Sequence, residues 1–346
     1  PLPAGGCRGF VAIAANFAVV RDFAEALRAP AEEAPTPPAE AEATPPRFAR
    51  AATAPMKRIL ICGFRSATVS LIEALVIAEP AAQILVLVES EEARAAALDD
   101  FDARTNLVRN GLLSERHGIF AADEHGALHG HRLPHESVPL GRIEIAVGDF
   151  TSSRRLVGLP RGFGHAASMD VVVFLSSGHD SDARIAKAMM KLEALVTHAE
   201  HVGNDACAHG RPRVVAELFD IELARRLRHH FAHQGRDDIQ IISTQALRAL
   251  FLYQSVIVPS FDAVYTELLG PWGQSLLRMV ASGGAGRSTY DQLADALAAQ
   301  GAALVALEVR GEGERNDLWV GEAPEPGMLI DNARIVGAWV ISRDEA

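Results

Sequence analysis

The residues with the most chemistry to offer are carboxylates at or just beyond the ends of apolar, strand-like runs: Glu89, Asp149, Asp180, Asp182, Glu217 and Asp220. Gathered at one edge of a sheet, they would suit a hard cation such as Ca²⁺, which takes about six to eight oxygen ligands. Taken singly, each reads first as the polar stop of a strand. A second kind of chemistry attaches to the turn Gly63-Phe64-Arg65-Ser66-Ala67-Thr68, which follows the apolar run Ile59-Leu60-Ile61-Cys62. A dinucleotide fingerprint at such a turn uses glycines to make the turn, admit the pyrophosphate and pack the helix. Here Gly63 stands without the other glycines, and Phe64 and Arg65 put bulk where phosphate would lie. Gly63 and Arg65 therefore mark a degenerate nucleotide site that reads as vacant, although Arg65 can pair with an anion. No cofactor is firmly indicated, and Ca²⁺ is the candidate that the acids suggest.

Other constellations carry less. His117, His125, His129, His131 and His135 crowd one stretch, and His198, His201, Cys207 and His209 another. Their spacings are irregular and broken by Gly and Pro, unlike the close paired spacings of structural zinc sites, so they read as surface histidines. There is no Gly-x-Ser-x-Gly elbow and no evident Ser/His/Asp arrangement. Ser176-Ser177-Gly178-His179-Asp180 reads as a polar loop after a strand. Gly283-Gly284-Ala285-Gly286 reads as a joint, since no Lys follows to make it a phosphate cradle. Catalysis is not expected.

The elements that must position these residues alternate from Arg58 onward. Strands are predicted at Ile59–Cys62, Gln83–Glu89, Ile143–Val147, Asp170–Leu175, Arg213–Glu217 and Ile239–Ser243. Helices are predicted over Thr68–Ile77, Ser90–Asp100, from near Ser152, and over Ser181–Thr197 and Glu222–His230. Such alternation implies a Rossmann-like parallel sheet covered on both faces, over residues 57–243. Residues 101–141 break the rhythm. Residues 244–282 read as mostly helical, with Phe251, Tyr253, Phe261, Tyr265 and Trp272 either forming a dimer or ring contact or closing the domain's own core. Residues 283–346 read as a small α+β subdomain with a helix over Tyr290–Ala299 and strands at Ala303–Val309, Asp317–Val320 and Arg334–Ile341. Residues 29–56 have the Pro/Ala composition of an extended linker. Gly9–Val20 reads as the last strand of something preceding, in residues 1–28.

Composition bounds the rest. The chain has 346 residues, is 49% hydrophobic and only 6% aromatic, and carries a net charge of −11. The length suggests about two domains, and the acidic balance disfavours nucleic acid as a partner. Cys7, Cys62 and Cys207 show no paired spacing, and Cys62 falls in a predicted buried strand, which fits a reducing compartment. No apolar run approaches the roughly 18–20 residues of a membrane span. The chain starts at Pro1 rather than Met, which suggests that residues lie upstream.

Several segments, in order, resemble the cytosolic gating-ring region of the CASTOR/POLLUX ion channels. The run Arg58-Ile-Leu-Ile-Cys-Gly-Phe-Arg is similar to that family's "ILxCGWR" strand, which also follows a Pro-rich linker. Val214-Val215-Ala216-Glu217-Leu218-Phe219-Asp220 resembles its "VVxEILD", and Gly148-Asp149 followed by Arg154-Arg155-Leu156 its "GNxxxRRxL". The apolar run ending at Leu175, then Ser-Ser-Gly-His-Asp-Ser-Asp-Ala, is similar to the family's acidic loop leading into a long helix. Phe64 stands where the family has tryptophan, and 101–141 is an insertion. The resemblance, over about 57–341, implies an RCK domain (regulator of potassium conductance) at the cytoplasmic face of a membrane. It further implies a homo-oligomeric partner, as a dimer or tetrameric ring, and an upstream membrane pore gated by ligand or Ca²⁺. The alternatives are a detached Trk-type regulatory subunit of a transporter and a nicotinamide-dependent oxidoreductase.

Overall fold

The computed structural model describes residues 45–50, 56–113, 117–124, 126–132, 136–176, 179–202, 210–236, 238–258, 261–269, 274–311, 316–325 and 327–343. Gly9–Val20, most of the Pro/Ala stretch, Cys207, His209 and Trp272 lie outside them. The described chain falls into two compact units, one spanning Ala54–Asp262 and the other combining the described residues before Thr53 with those from Ala263 onward.

The larger unit is a mixed α/β domain. Its strands are β2 (Arg58–Cys62), β3 (Gln83–Val88), β4 (Ile119–Ala122), β5 (Leu128–Arg132), β6 (Glu136–Val147), β7 (Val171–Phe174), β8 (Arg213–Leu218) and β9 (Ile239–Ser243). They form one sheet in the order β4-β5-β6-β3-β2-β7-β8-β9. From β6 to β9 every pairing is parallel. Counted along the chain, those strands stand 3-2-1-4-5-6, the doubly wound order in which connections reverse between the first and fourth strands. That arrangement is Rossmann-like. The β4–β5 hairpin extends the β6 edge antiparallel.

Strand alternation sorts side chains to two faces. Ile59, Ile61, Ile84, Val86, Ile143 and Val173 are buried under α1 (Ala67–Ala78) and α2 (Glu91–Arg109). Leu60, Cys62, Leu85, Leu87, Phe174 and Ala216 are buried under α4 (His179–Val202) and α5 (Ile221–His233), with the short α3 (Ser153–Val157) beside them. Burial on both faces explains why these strands read as continuous apolar runs rather than as alternating ones. Each fully buried Leu or Ile contributes about 1.5–3 kcal/mol.

The predicted strands recur within a residue or two, except that the third begins at Glu136 rather than Ile143. The supposed break at 101–141 is narrower than expected. Helix α2 continues to Arg109 because Ala97, Phe101, Thr105 and Val108 keep a helical spacing and are all buried. The hairpin fills most of the remainder. After β9 come α6 (Thr244–Ile257) and α7 (Phe261–Leu269).

The smaller unit is an antiparallel sheet, β1-β10-β15-β12-β13, built from β1 (Arg47–Arg50), β10 (Gln274–Ser282), β12 (Ala302–Arg310), β13 (Asn316–Val320) and β15 (Ile335–Arg343). A two-residue pair, β11 (Arg287–Ser288) with β14 (Ile330–Asp331), and helix α8 (Tyr290–Ala298) complete it. Two expectations are corrected here. Residues 274–282 are a strand, not helix. Leu277, Met279 and Ala281 point to the core while Leu276 and Val280 are exposed, a period of two that two adjacent leucines obscure. Residues 47–50, assigned to an extended linker, pair in register with 279–282, and Phe48 is buried in this unit's core. The α+β subdomain therefore begins before residue 283 and recruits a strand from far upstream.

Candidate functional site

In a doubly wound sheet, ligands bind beyond the carboxyl ends of the strands at the reversal point. In this structure a cavity of about 260 Å³ lies there, lined by Gly63, Phe64, Arg65, Val88, Glu89, Ser90, Ala93, Phe150, Leu175, Ser176 and Ser181. These come from the end of β3, from the loops after β2, β3, β6 and β7, and from the first turns of α2 and α4. The volume falls below the about 300–1,000 Å³ of ordinary ligand pockets.

The floor is set by Gly63. Its φ is +96°, and a Cβ there would lie 2.9 Å from the Leu175 carbonyl oxygen. Its N–H donates to Leu87 O at 2.9 Å, tying the turn to β3. Gly63→Ala is expected to destabilise the domain by about 1–3 kcal/mol through the left-handed backbone alone, with further loss from the carbonyl clash, readable by urea unfolding.

The turn itself is closed by protein. The Arg65 N–H donates to Thr68 Oγ1 at 3.0 Å. Ser66 takes helical dihedrals at the head of α1 and makes no capping bond. Phe64 packs against Phe101, with ring centroids 6.1 Å apart. The Arg65 guanidinium is half-exposed and paired with Glu217, which is 8% exposed. Glu217 Oε2 is buried and has no hydrogen-bond partner among the described residues. Cys62, directly below, is fully buried, and burial pushes its thiol well above the usual range, so it offers neither a nucleophile nor a metal ligand.

The acids lie at this edge, and Glu89, Asp149, Asp182, Glu217 and Asp220 are each engaged by protein. Asp182, 4% exposed, accepts from the N–H groups of Phe219 (2.9 Å) and Asp220 (2.7 Å) and from Ser176 Oγ at 3.2 Å, clamping the loop after β8 to α4. Asp220 caps α5 by accepting from Leu223 N–H at 2.8 Å. Glu89 pairs with Arg184, which also approaches Asp149 Oδ1 at 3.6 Å and lies 5.2 Å from the Phe150 ring centroid. Asp180 sits in the first turn of α4, with its side chain outside the described residues. Among the described residues, no three His, Cys, Asp or Glu side chains are grouped so as to hold a metal ion. A cation bound by Glu217, Glu89 or Asp149 would have to take the carboxylate from Arg65 or Arg184.

Sequence reading did not single out Arg184, which ties the loops after β3 and β6 to α4. Its placement one turn into the helix after the fourth strand was the available signal. Hydrogen bonding to Glu89 raises its pKa. For Asp149, burial opposes ionisation, but bonds from the Thr151 N–H and hydroxyl, with Arg184 and Lys187, outweigh it and lower its pKa from the ordinary 3.8. A lowered folded value means that ionised Asp149 stabilises the fold above pH 3.8 and that the contribution disappears as pH falls through the folded value. Wild type and Asp149→Asn should therefore differ in urea midpoint near neutrality and converge in acid.

Of the histidines, His129 Nε2 lies 3.1 Å from Asp123 Oδ2. His117 joins a buried cluster: Glu73, 1% exposed, accepts from Arg104 Nη2 at 2.6 Å and from Gly118 N–H at 2.6 Å, and lies 3.2 Å from His117 Nδ1. That cluster fastens the β4–β5 hairpin to α1 and α2.

Helix α6 is of another kind. None of its residues is buried, although Leu247, Leu250, Phe251, Leu252, Tyr253, Val256 and Ile257 lie within it, all exposed, Val256 at 85%. Phe251 packs on Phe261, with centroids 5.3 Å apart. Among the described residues no helix is long and apolar enough to cross a membrane.

No protein-family model matches the chain, and no curated protein matches it. Among solved structures, the reductase domain of an aureusimine biosynthetic cluster is similar at 14% identity, over 55% of this chain and 48% of that one, with a TM-score of 0.28. The chain thus spans about half the length of that structure. A likeness at that score carries no argument.

Proposed function

We propose that this chain is the cytosolic regulatory region of a CASTOR/POLLUX-like cation channel, in which a cation or small ligand at the sheet edge alters the packing of chains against one another. The observation that carries the reading is α6. Large apolar side chains concentrated on an exposed element commonly mark a contact surface, and here a helix directly after the sixth strand exposes seven of them and contains Arg248 as its one charged residue. A second copy of the chain is the partner that the resemblance implies.

The sheet edge supports the regulatory half of the reading. Two ion pairs join segments distant in sequence, Arg65 after β2 with Glu217 of β8, and Arg184 of α4 with Glu89 after β3. A ligand that captures either partner changes which loops are held together. Such a ligand shifts a conformational equilibrium only by its differential affinity for the two arrangements, so no group needs to do bond chemistry.

The second reading, a nicotinamide-dependent oxidoreductase, has one observation in its favour: the cavity lies at the reversal point where dinucleotides bind. Phe64 and Arg65, packed on Phe101 and paired with Glu217, oppose it by filling the phosphate turn. Calorimetric titration of the purified chain separates the two. The regulatory reading expects no NAD uptake at the turn and a Ca²⁺ or small-ligand response that Glu217→Gln weakens. Tight NAD binding that Gly63→Ala abolishes would support the oxidoreductase instead.

A further inference from the structure

Helix α5 ends in a histidine pair that nothing above uses. His229 and His233 are one turn apart, both exposed, with their Nε2 atoms 3.3 Å from each other. The ring centroids are 4.3 Å apart and the planes cross at 71°. The nitrogens are thus closer than the ring centres, so the ring edges that carry Nε2 face each other within hydrogen-bond distance at the exposed helix surface. We propose that His229 and His233 form a binding site for a divalent transition-metal ion, with Zn²⁺ as the species it fits.

The separation selects the geometry. Two nitrogens bound to one tetrahedral Zn²⁺ at about 2.0–2.1 Å lie about 3.3–3.4 Å apart. Two adjacent ligands at right angles, as in a square-planar or octahedral site, lie only about 2.8–3.0 Å apart at the same bond length. The observed spacing matches the tetrahedral edge. Imidazole suits zinc, and the helix places His233 in its last turn, where the macrodipole favours a cation. Arg225, one turn toward the N-terminus, is held by Glu222 at 2.8 Å, which offsets its repulsion. Two protein ligands leave two positions for water or for a group from another molecule, so the site would exchange metal readily rather than serve as a closed structural centre. His230 lies on the other side of the helix edge, its Nε2 3.2 Å from Gln234 Nε2, and does not join the pair.

The site is independent of the proposed function, and its test is a Zn²⁺ titration of the full chain by calorimetry, compared with His229→Gln, His233→Gln and His230→Gln. His229 and His233 are exposed helix positions where substitution leaves stability nearly unchanged; His230 is half-buried and packs on Phe231, so its variant is first checked for native helix content by circular dichroism. The wild type and His230→Gln should bind the same number of ions. Each of the other two variants should bind one fewer per chain, or bind that ion at least tenfold more weakly. If the wild type takes up no Zn²⁺, or if either variant stays within tenfold at unchanged stoichiometry, the proposal is overturned.

Discussion

A chain carrying Leu250→Glu and Val256→Glu is expected to sediment as a monomer at concentrations where the wild type associates. Both side chains are largely exposed in α6, at 61% and 85%. Glutamate there costs the isolated domain little, since surface substitutions usually stay within about ±0.5 kcal/mol. In an assembly that buries the helix, each charge removes an apolar anchor worth about 2 kcal/mol or more. Two such losses weaken association about 10³-fold. Sedimentation velocity reads the effect, and the far-ultraviolet circular dichroism of the variant should match that of the wild type. A monomeric variant with intact helix content places the association on α6.

The second large effect concerns folding. Glu73→Ala is expected to destabilise the larger unit by about 3–5 kcal/mol, the cost of removing one partner from a buried ion pair. Glu73 is the common acceptor for Arg104 and the Gly118 N–H, and Arg104 Nε is buried with no hydrogen-bond partner among the described residues. Deleting the carboxylate strands the guanidinium and frees the β4–β5 hairpin from α1 and α2. Glu73→Gln, which keeps an acceptor for the amide, should cost less. Urea unfolding followed by far-ultraviolet circular dichroism measures both, and hydrogen exchange should show the hairpin amides losing protection first.

Much of the parallel sheet was legible because its strands are buried on both faces, so Ile59-Leu60-Ile61-Cys62 and Val171-Val172-Val173-Phe174 appear as unbroken apolar runs. The antiparallel unit was harder to read. Its strands are half-exposed, and in β10 the leucines at 276 and 277 face opposite sides, so composition suggested helix. Strand β1 has one buried side chain, Phe48, to announce it among prolines and alanines. The helical spacing of Ala97, Phe101, Thr105 and Val108 was present but masked by the charges between them.

The candidate site was legible in part. The edge position of Glu89, Asp149, Asp182, Glu217 and Asp220 followed from strand ends, and so did the obstruction of the turn by Phe64 and Arg65. What those acids bind did not follow. Asp182 holds two backbone amides 37 and 38 residues away, and Arg65 reaches Glu217 across 152 residues. Such partners are decided by the sheet order 3-2-1-4-5-6, which brings the fifth strand near the first turn, and no local pattern encodes that order. The histidine pair at 229 and 233 lies at plain helical spacing within a stretch rich in arginine, a pattern that an ordinary solvated helix face shares.

The measurement that bears most directly on the regulatory account is cation flux from vesicles carrying the complete polypeptide of the reading frame that encodes this chain. The account predicts a cation flux that changes when Leu250→Glu and Val256→Glu are introduced, because the packing of α6 against a second copy transmits the regulatory signal. Absence of flux, or a flux indifferent to those substitutions, would contradict it.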